Sequence, residues 1–221
     1  MNIKNRGLIF GIFVALTLLS CVEQNNSIDP IEQVTGLKKC QHQHFMTDLR
    51  YNSTNNFLNK NVYDAYDIKH CYVHPDLHEK LMSLTPILAE KKLKLVFYDC
   101  YRPIEVQRLM WDILPDSRYV ANPKNGSLHN RGIAIDVGLA TMTGDSLPMP
   151  SDFDHFGQES WHRYEPKDER GREAKRNKDL LKDLCESIGL KPLRTEWWHY
   201  HFPNPKSYPI IILDKKGVTK S

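Results

Sequence analysis

Three short segments of the chain combine residue types that acid–base and metal chemistry need. Ser127-Leu128-His129-Asn130-Arg131-Gly132-Ile133-Ala134-Ile135-Asp136 sets an imidazole and a carboxylate seven positions apart, with Gly132 between them to let the backbone turn closely or unusually. Glu196-Trp197-Trp198-His199 holds a carboxylate and an imidazole around two large rings, and Asp99-Cys100-Tyr101-Arg102-Pro103 carries an arginine just past an apolar run. Two His and one Asp offer three N/O ligands and leave a fourth position open, the ligand count of a catalytic zinc centre. A hard oxygen beside two imidazoles suits Zn²⁺, with iron and manganese as alternatives. Glu196 is then a candidate base for an attacking water and Arg102 a candidate cation for a developing oxyanion. In a regular strand, however, residues three apart face opposite sides, so His199 shares a face with His201, a rival ligand, rather than with Glu196. A bulge or strand end near Trp198 restores the Glu196–His199 pairing.

The elements that must position these groups follow from periodicity. Leu93 to Tyr98 and Ile133 to Leu139 predict two buried strands, and the aromatic-dense Glu196 to Phe202 a third. Asp76 to Lys92 is helical in period (Leu77, Leu81, Leu84, Leu88), with Pro86 expected to kink or divide it. Pro103 opens a helix over Ile104 to Leu114, and Glu169 to Ile188 is a charged helix with an apolar stripe, stopped by Gly189. Strands and helices mix without a βαβ rhythm, which predicts an α+β domain: a small, mainly antiparallel sheet packed by helices, with the metal site on the sheet.

The 221 residues suit one domain, and 30 basic against 27 acidic side chains give no electrostatic case for nucleic acid. Lys4 and Arg6 precede a 13-residue apolar run, Leu8 to Ser20, too short for a permanent span and the right length for a signal-peptide core. Leu18-Leu19-Ser20-Cys21 resembles a bacterial lipobox. The expected organisation is a signal peptide over 1–20, a polar tether over 21–38 beginning at a lipidated Cys21, and a domain over 39–221 anchored in the envelope but not spanning it. Cys40, Cys71, Cys100 and Cys185 then remain, an even number in an exported chain. They allow two disulfides in three pairings, or four small buried thiols.

Taken in order, Y-R-P at Tyr101–Pro103, S-x-H-x-x-G-x-A-x-D at Ser127–Asp136 and E-W-W-H at Glu196–His199 resemble the zinc D-alanyl-D-alanine dipeptidases. This family is related to D,D-carboxypeptidases and to the Hedgehog signalling domain. Leu49-Arg50-Tyr51-Asn52 and Asn56-Phe57 are similar to its N-terminal segment, so the resemblance runs from about Asp48 to His201. It implies one Zn²⁺ held by His129, Asp136 and His199, Glu196 as general base and acid, and Arg102 as the group that stabilises the tetrahedral intermediate. It further implies that Ser127 lines the substrate site and that Asp154 holds the substrate's free amino group. A tyrosine that the pattern carries in the N-terminal segment has no assigned counterpart. The implied activity is hydrolysis of the D-Ala-D-Ala dipeptide in the bacterial envelope. D,D- or L,D-carboxypeptidase action on peptidoglycan stems and a non-catalytic zinc-binding module are the alternatives.

Other groups read more plainly. His42 and His44 are expected to be a solvated pair, and His155 and His162 exposed loop residues. At least one of Trp197 and Trp198 is expected to be core, Glu165 to Lys182 a solvated helix face, and Tyr208 to Leu213 a cap on one edge of the core.

Overall fold

The two apolar runs become the longest strands of a five-stranded sheet. In this computed structural model, which describes residues 29–216, β1 is Lys38–Lys39, β2 Phe45–Thr47, β3 Tyr72–Val73, β4 Leu93–Asp99, β5 Ala134–Thr141, β6 Lys191–Leu193 and β7 Glu196–His201. The main sheet runs β2-β4-β5-β7-β6, antiparallel except for the parallel β2–β4 pair, and β1 pairs with β3 separately. β5 is central and buried along nearly its whole length, so its alternate side chains supply core on one face and site on the other. Asp136 lies directly across from His199 on β7, which aims both side chains to the same face.

Five helices complete the described chain: α1 Pro30–Thr35, α2 Pro75–Ser83, α3 Thr85–Lys91, α4 Ile104–Ile113 and α5 Glu169–Ser187. The expected division by Pro86 is real, for α2 ends at Ser83 and α3 restarts with Pro86 in its first turn, where the missing N–H costs nothing. The leucines of α2 and α3 and Leu181, Leu184 and Cys185 of α5 share one core with β4, β5 and β7. A second cluster gathers Tyr51, Tyr63, Tyr66, Tyr101, Val106 and Met110 around the turn that follows β4. Asp168 caps α5 by accepting from the Gly171 amide at 2.7 Å, and Gly189 ends it with φ +87°, a conformation that favours glycine.

Two expectations change. The stretch expected as tether is folded from Asp29 on: Asp29 accepts from the Ile31 amide at 3.0 Å to cap α1, and Ile31 and Leu37 are buried in the second cluster. A six-residue helix is too short to declare a period, which is why the sequence reads there as linker. Of the four cysteines, Cys71 and Cys100 form a disulfide, while Cys40 and Cys185 are free, buried thiols. The signal segment and Cys21 lie outside the described residues, and among the described residues no helix is long and apolar enough to cross a membrane.

Candidate active site

His129 enters the site on a single 3₁₀ turn, His129–Arg131, that ends at Gly132 with φ +65°. The Gly132 amide bonds back to the His129 carbonyl at 3.1 Å, and the backbone of His74 approaches within 3.0 Å of where a Cβ would stand. Only glycine fits that close approach without displacing backbone. The turn leads straight into β5, which delivers Asp136.

The His129 ring is oriented by the main chain. Its Nδ1 lies 2.7 Å from the Cys100 carbonyl, which can only accept, so Nδ1 carries the hydrogen and Nε2 presents a lone pair. That Nε2 is 3.1 Å from His199 Nδ1 and 3.3 Å from Asp136 Oδ1, and His199 Nδ1 is 2.9 Å from Asp136 Oδ1. One ligand atom from each side chain lies within 4.8 Å of the others, and all three residues are buried. Two imidazole nitrogens and a carboxylate oxygen converging on one point in a water-poor site fit a divalent transition-metal ion. His201, the rival from strand alternation, lines the same cavity but falls outside this group.

Glu196 reaches the site because β7 is irregular there. Its pairing with β6 jumps from Pro192↔Tyr200 to Leu193↔Glu196. The irregularity spans Trp197–His199, the place where a bulge was needed, and Glu196 and His199 line one cavity of about 210 Å³. Burial, reinforced by the negative charges of Asp136 and Asp154, raises the Glu196 carboxyl well above its usual range, with Arg102 pulling the other way. Burial also opposes ionisation of Asp136, but the two imidazoles outweigh it and hold that carboxyl low.

Arg102 is fixed on three sides. Its Nε and Nη2 donate to Asp99 Oδ2 at 2.9 and 2.5 Å, and Nη1 donates to Gln107 Oε1 at 2.8 Å. Asp99 is fully buried and also accepts from the Tyr63 hydroxyl and, at 2.8 Å, from the Cys100 amide. Burial on its own would discharge the guanidinium, but Asp99 keeps it firmly charged. Its Nη2 is 3.8 Å from Asp136 Oδ2, which puts a fixed cation beside the ligand cluster.

A family profile described as D-Ala-D-Ala dipeptidase, Peptidase_M15, matches residues 37–216. The chain belongs to this family of peptidases. It is 34% identical to a D-alanyl-D-alanine dipeptidase of Escherichia coli over 74% of this chain and 82% of that protein. With a D-alanyl-D-alanine dipeptidase of Enterococcus faecalis the figures are 28%, 73% and 89%. A solved vancomycin-resistance D,D-pentapeptidase in complex with Zn(II) aligns over 65% of this chain and 83% of that one, at 14% identity and a TM-score of 0.40.

The rest of the cavity of this M15 peptidase is built from distant segments. Asp154 lines it, in a left-handed backbone conformation (φ +61°), and the Tyr51 hydroxyl donates to its two carboxylate oxygens at 3.1 and 3.0 Å. Burial, with the charge of Asp136 adding to it, pushes the Asp154 carboxyl up to about 8. The sequence alone assigns Tyr51 no role; its contact with Asp154 comes from tertiary approach. Ser127 is buried at the cavity wall, its Oγ accepting from the His129 amide at 3.3 Å and its own amide donating to Asn130 Oδ1 at 2.6 Å. Asn130 also donates to the Arg102 carbonyl at 2.7 Å, tying the His129 turn to the arginine.

Among the plainer groups, Trp198 lines the cavity while Trp197 is buried and donates to Ser151 Oγ at 3.0 Å. The segment after Tyr208 does cap the core: the Ile211 amide donates to the Asn130 carbonyl at 2.8 Å and its carbonyl accepts from Tyr101. Two histidines differ from expectation. His44 is buried, its Nδ1 3.0 Å from the Leu93 carbonyl, because β2 adds beside β4 and covers it. His162 is largely enclosed, packed edge-on to Tyr200 rather than exposed. Lys178 is a buried exception on the otherwise solvated α5 face, donating to the His162 carbonyl.

Proposed function

We propose that this M15 peptidase hydrolyses the free dipeptide D-Ala-D-Ala to two D-alanines, using Zn²⁺ held by His129, Asp136 and His199. Zn²⁺ supplies Lewis-acid polarisation of the scissile carbonyl and acidifies water. Glu196 takes the proton of the attacking water and returns it to the leaving amine, for which a buried, upward-shifted carboxyl is suited. Arg102, held rigid by Asp99 and Gln107, faces the negative charge that grows on the carbonyl oxygen, an interaction stronger in the transition state than in the substrate. Asp154, oriented by Tyr51, pairs with the substrate ammonium, and Ser127 contributes a polar wall.

The observation that carries the proposal is that Glu196, Arg102 and Asp154 share one cavity of about 210 Å³ with the three ligand side chains. A space that small, with Asp154 placed so that its carboxyl ionises as it pairs with a free amino terminus, favours a dipeptide over a stem peptide. The test is release of D-alanine from D-Ala-D-Ala by zinc-loaded protein, run beside a chelated sample, L-Ala-L-Ala and a stem pentapeptide. Chelator-sensitive cleavage of the D,D-dipeptide alone is the expected result. Cleavage of the pentapeptide instead makes the enzyme a carboxypeptidase, and cleavage of nothing makes it a binding module.

The same proposal puts the enzyme on a lipid anchor in the bacterial envelope, supported by the charged start, the 13-residue apolar run and Cys21. Palmitate labelling that survives Cys21→Ala would overturn the anchor.

A further inference from the structure

A second cavity, of about 540 Å³, adjoins the candidate active site and shares Ser117, Arg118 and Leu193 with it. Its remaining lining comes from Trp161-His162-Arg163 and Pro192 to Thr195. Three arginines, Arg118, Arg163 and Arg194, therefore line one groove, and no acidic residue lines it. Arg118 is already paired with Asp116, Nη2 to Oδ2 at 2.5 Å. Arg163 and Arg194 make no ion pair among the described residues; Arg163 instead lies 4.4 Å over the Trp161 ring. The Trp161 indole nitrogen and both ring nitrogens of His162 are buried without a hydrogen-bond partner. Two arginines without an ion pair, in a groove that no acidic residue lines, make a setting for an anion, and arginine's planar fork matches a carboxylate.

We propose that this arginine groove is a specificity subsite for a carboxylate on the C-terminal residue of the substrate, so that dipeptides ending in an acidic residue are accepted in addition to D-Ala-D-Ala. The inference rests on the dipeptidase reading above. In this proposal the substrate ammonium is held at Asp154 and the C-terminal residue is directed toward Arg118 and Leu193, which the two cavities share. An alanine methyl leaves the groove unused, whereas a two-carbon acidic side chain carries its charge toward it. The groove is open to solvent, so each arginine contributes as an exposed ion pair does and is screened by salt.

The test compares D-Ala-D-Glu with its neutral isostere D-Ala-D-Gln, alongside D-Ala-D-Ala, on the zinc-loaded enzyme. At low salt the acidic dipeptide should show kcat/KM about five-fold above the glutamine one, mostly through KM, the size expected of one or two exposed pairs. In an Arg163→Ala/Arg194→Ala variant, and in 0.5 M salt, where the screening length falls to about 4 Å, the ratio should fall to about one while the D-Ala-D-Ala rate is unchanged. A ratio near one in the parent enzyme, or one that persists in the double variant, overturns the subsite. Calorimetric binding of the two dipeptides to Glu196→Gln reads the same preference without turnover. Absence of D-Ala-D-Ala hydrolysis by the parent enzyme therefore counts against the dipeptidase reading, and equal binding of the acidic and neutral peptides counts against the groove.

Discussion

His129 Nδ1 and the carbonyl oxygen of Cys100 are joined at 2.7 Å, and Cys100 is also half of the bridge to Cys71. The same residue's amide donates to Asp99, the carboxylate that grips Arg102. One cross-linked position thus sets the tautomer of a candidate metal ligand and anchors the partner of the candidate oxyanion group. Groups that orient a ligand's second nitrogen typically govern metal affinity by 10- to 100-fold.

Removing the bridge with Cys71→Ala/Cys100→Ala should therefore do two things. Stability should fall by about 2–5 kcal/mol, as for loss of a native disulfide. Zinc affinity should also drop by about ten-fold or more. Thermal melts and a chelator competition measure the two separately. A lower melting temperature with unchanged zinc affinity would show that the bridge stabilises the fold without orienting His129.

Glu196→Gln should lower turnover on the order of 10²-fold or more with zinc content intact, since the amide cannot take a proton. Arg102→Ala is a poorer probe, because it strips the fully buried Asp99 of its cationic partner, at a cost of about 3–5 kcal/mol in stability. Arg102→Lys keeps the charge but loses the two-pronged contact to Asp99. It should fold and still lose about 10²-fold in turnover. Near-normal turnover in either Glu196→Gln or Arg102→Lys would remove that residue from the mechanism.

Much of this site was legible because its parts are local. His129, Asp136, Glu196 and His199 sit in two short segments, and the one obstacle, strand alternation between Glu196 and His199, named in advance the irregularity that β7 contains. β4, β5, α4 and α5 were legible because each repeats its period several times. β1, β2 and β3 have two or three residues each and exist only because a longer neighbour offers an edge, so no local pattern announces them. The Tyr51–Asp154 contact spans 103 residues of sequence, and Gln107 reads locally as one more polar position on a helix. Their roles come from tertiary approach alone. The burial of His44 and the enclosure of His162 escape local reading for the same reason: what covers them comes from elsewhere in the chain.

Asp154 trades stability against binding. Its folded-state pKa, about 8, lies above the unfolded value, so the folded chain holds a proton that the unfolded chain gives up, and this contribution is lost as pH rises from about 4 through 8. In metal-free protein, Asp154→Asn should thus be more stable than the parent at pH 8, and the two should converge toward pH 4. Its KM for D-Ala-D-Ala should meanwhile rise by about ten-fold or more, because the ammonium loses its counter-charge. Denaturant titrations at the two pH values and steady-state kinetics check both limbs. An unchanged KM would detach Asp154 from substrate.

The acid limb of the stability curve should belong in part to His162. Burial first, then the charges of Lys178 and Lys182, push its pKa down to about 4, with Asp179 and Glu186 opposing. A folded-state pKa below the unfolded value means that the unfolded chain binds the proton first. Stability is then whole above about 6.5 and is lost as pH falls from there toward 4, by an amount on the order of 2 kcal/mol. Both ring nitrogens are buried without partners, so His162→Phe removes the titration and leaves no orphaned polar atom behind. Measured on chelated protein, so that loss of the metal does not contribute, the variant should lose less stability between pH 7 and 4.5 than the parent. Parallel curves for the two proteins would assign the acid sensitivity to other groups, His201 first among them, since burial pushes it down to about 4 as well.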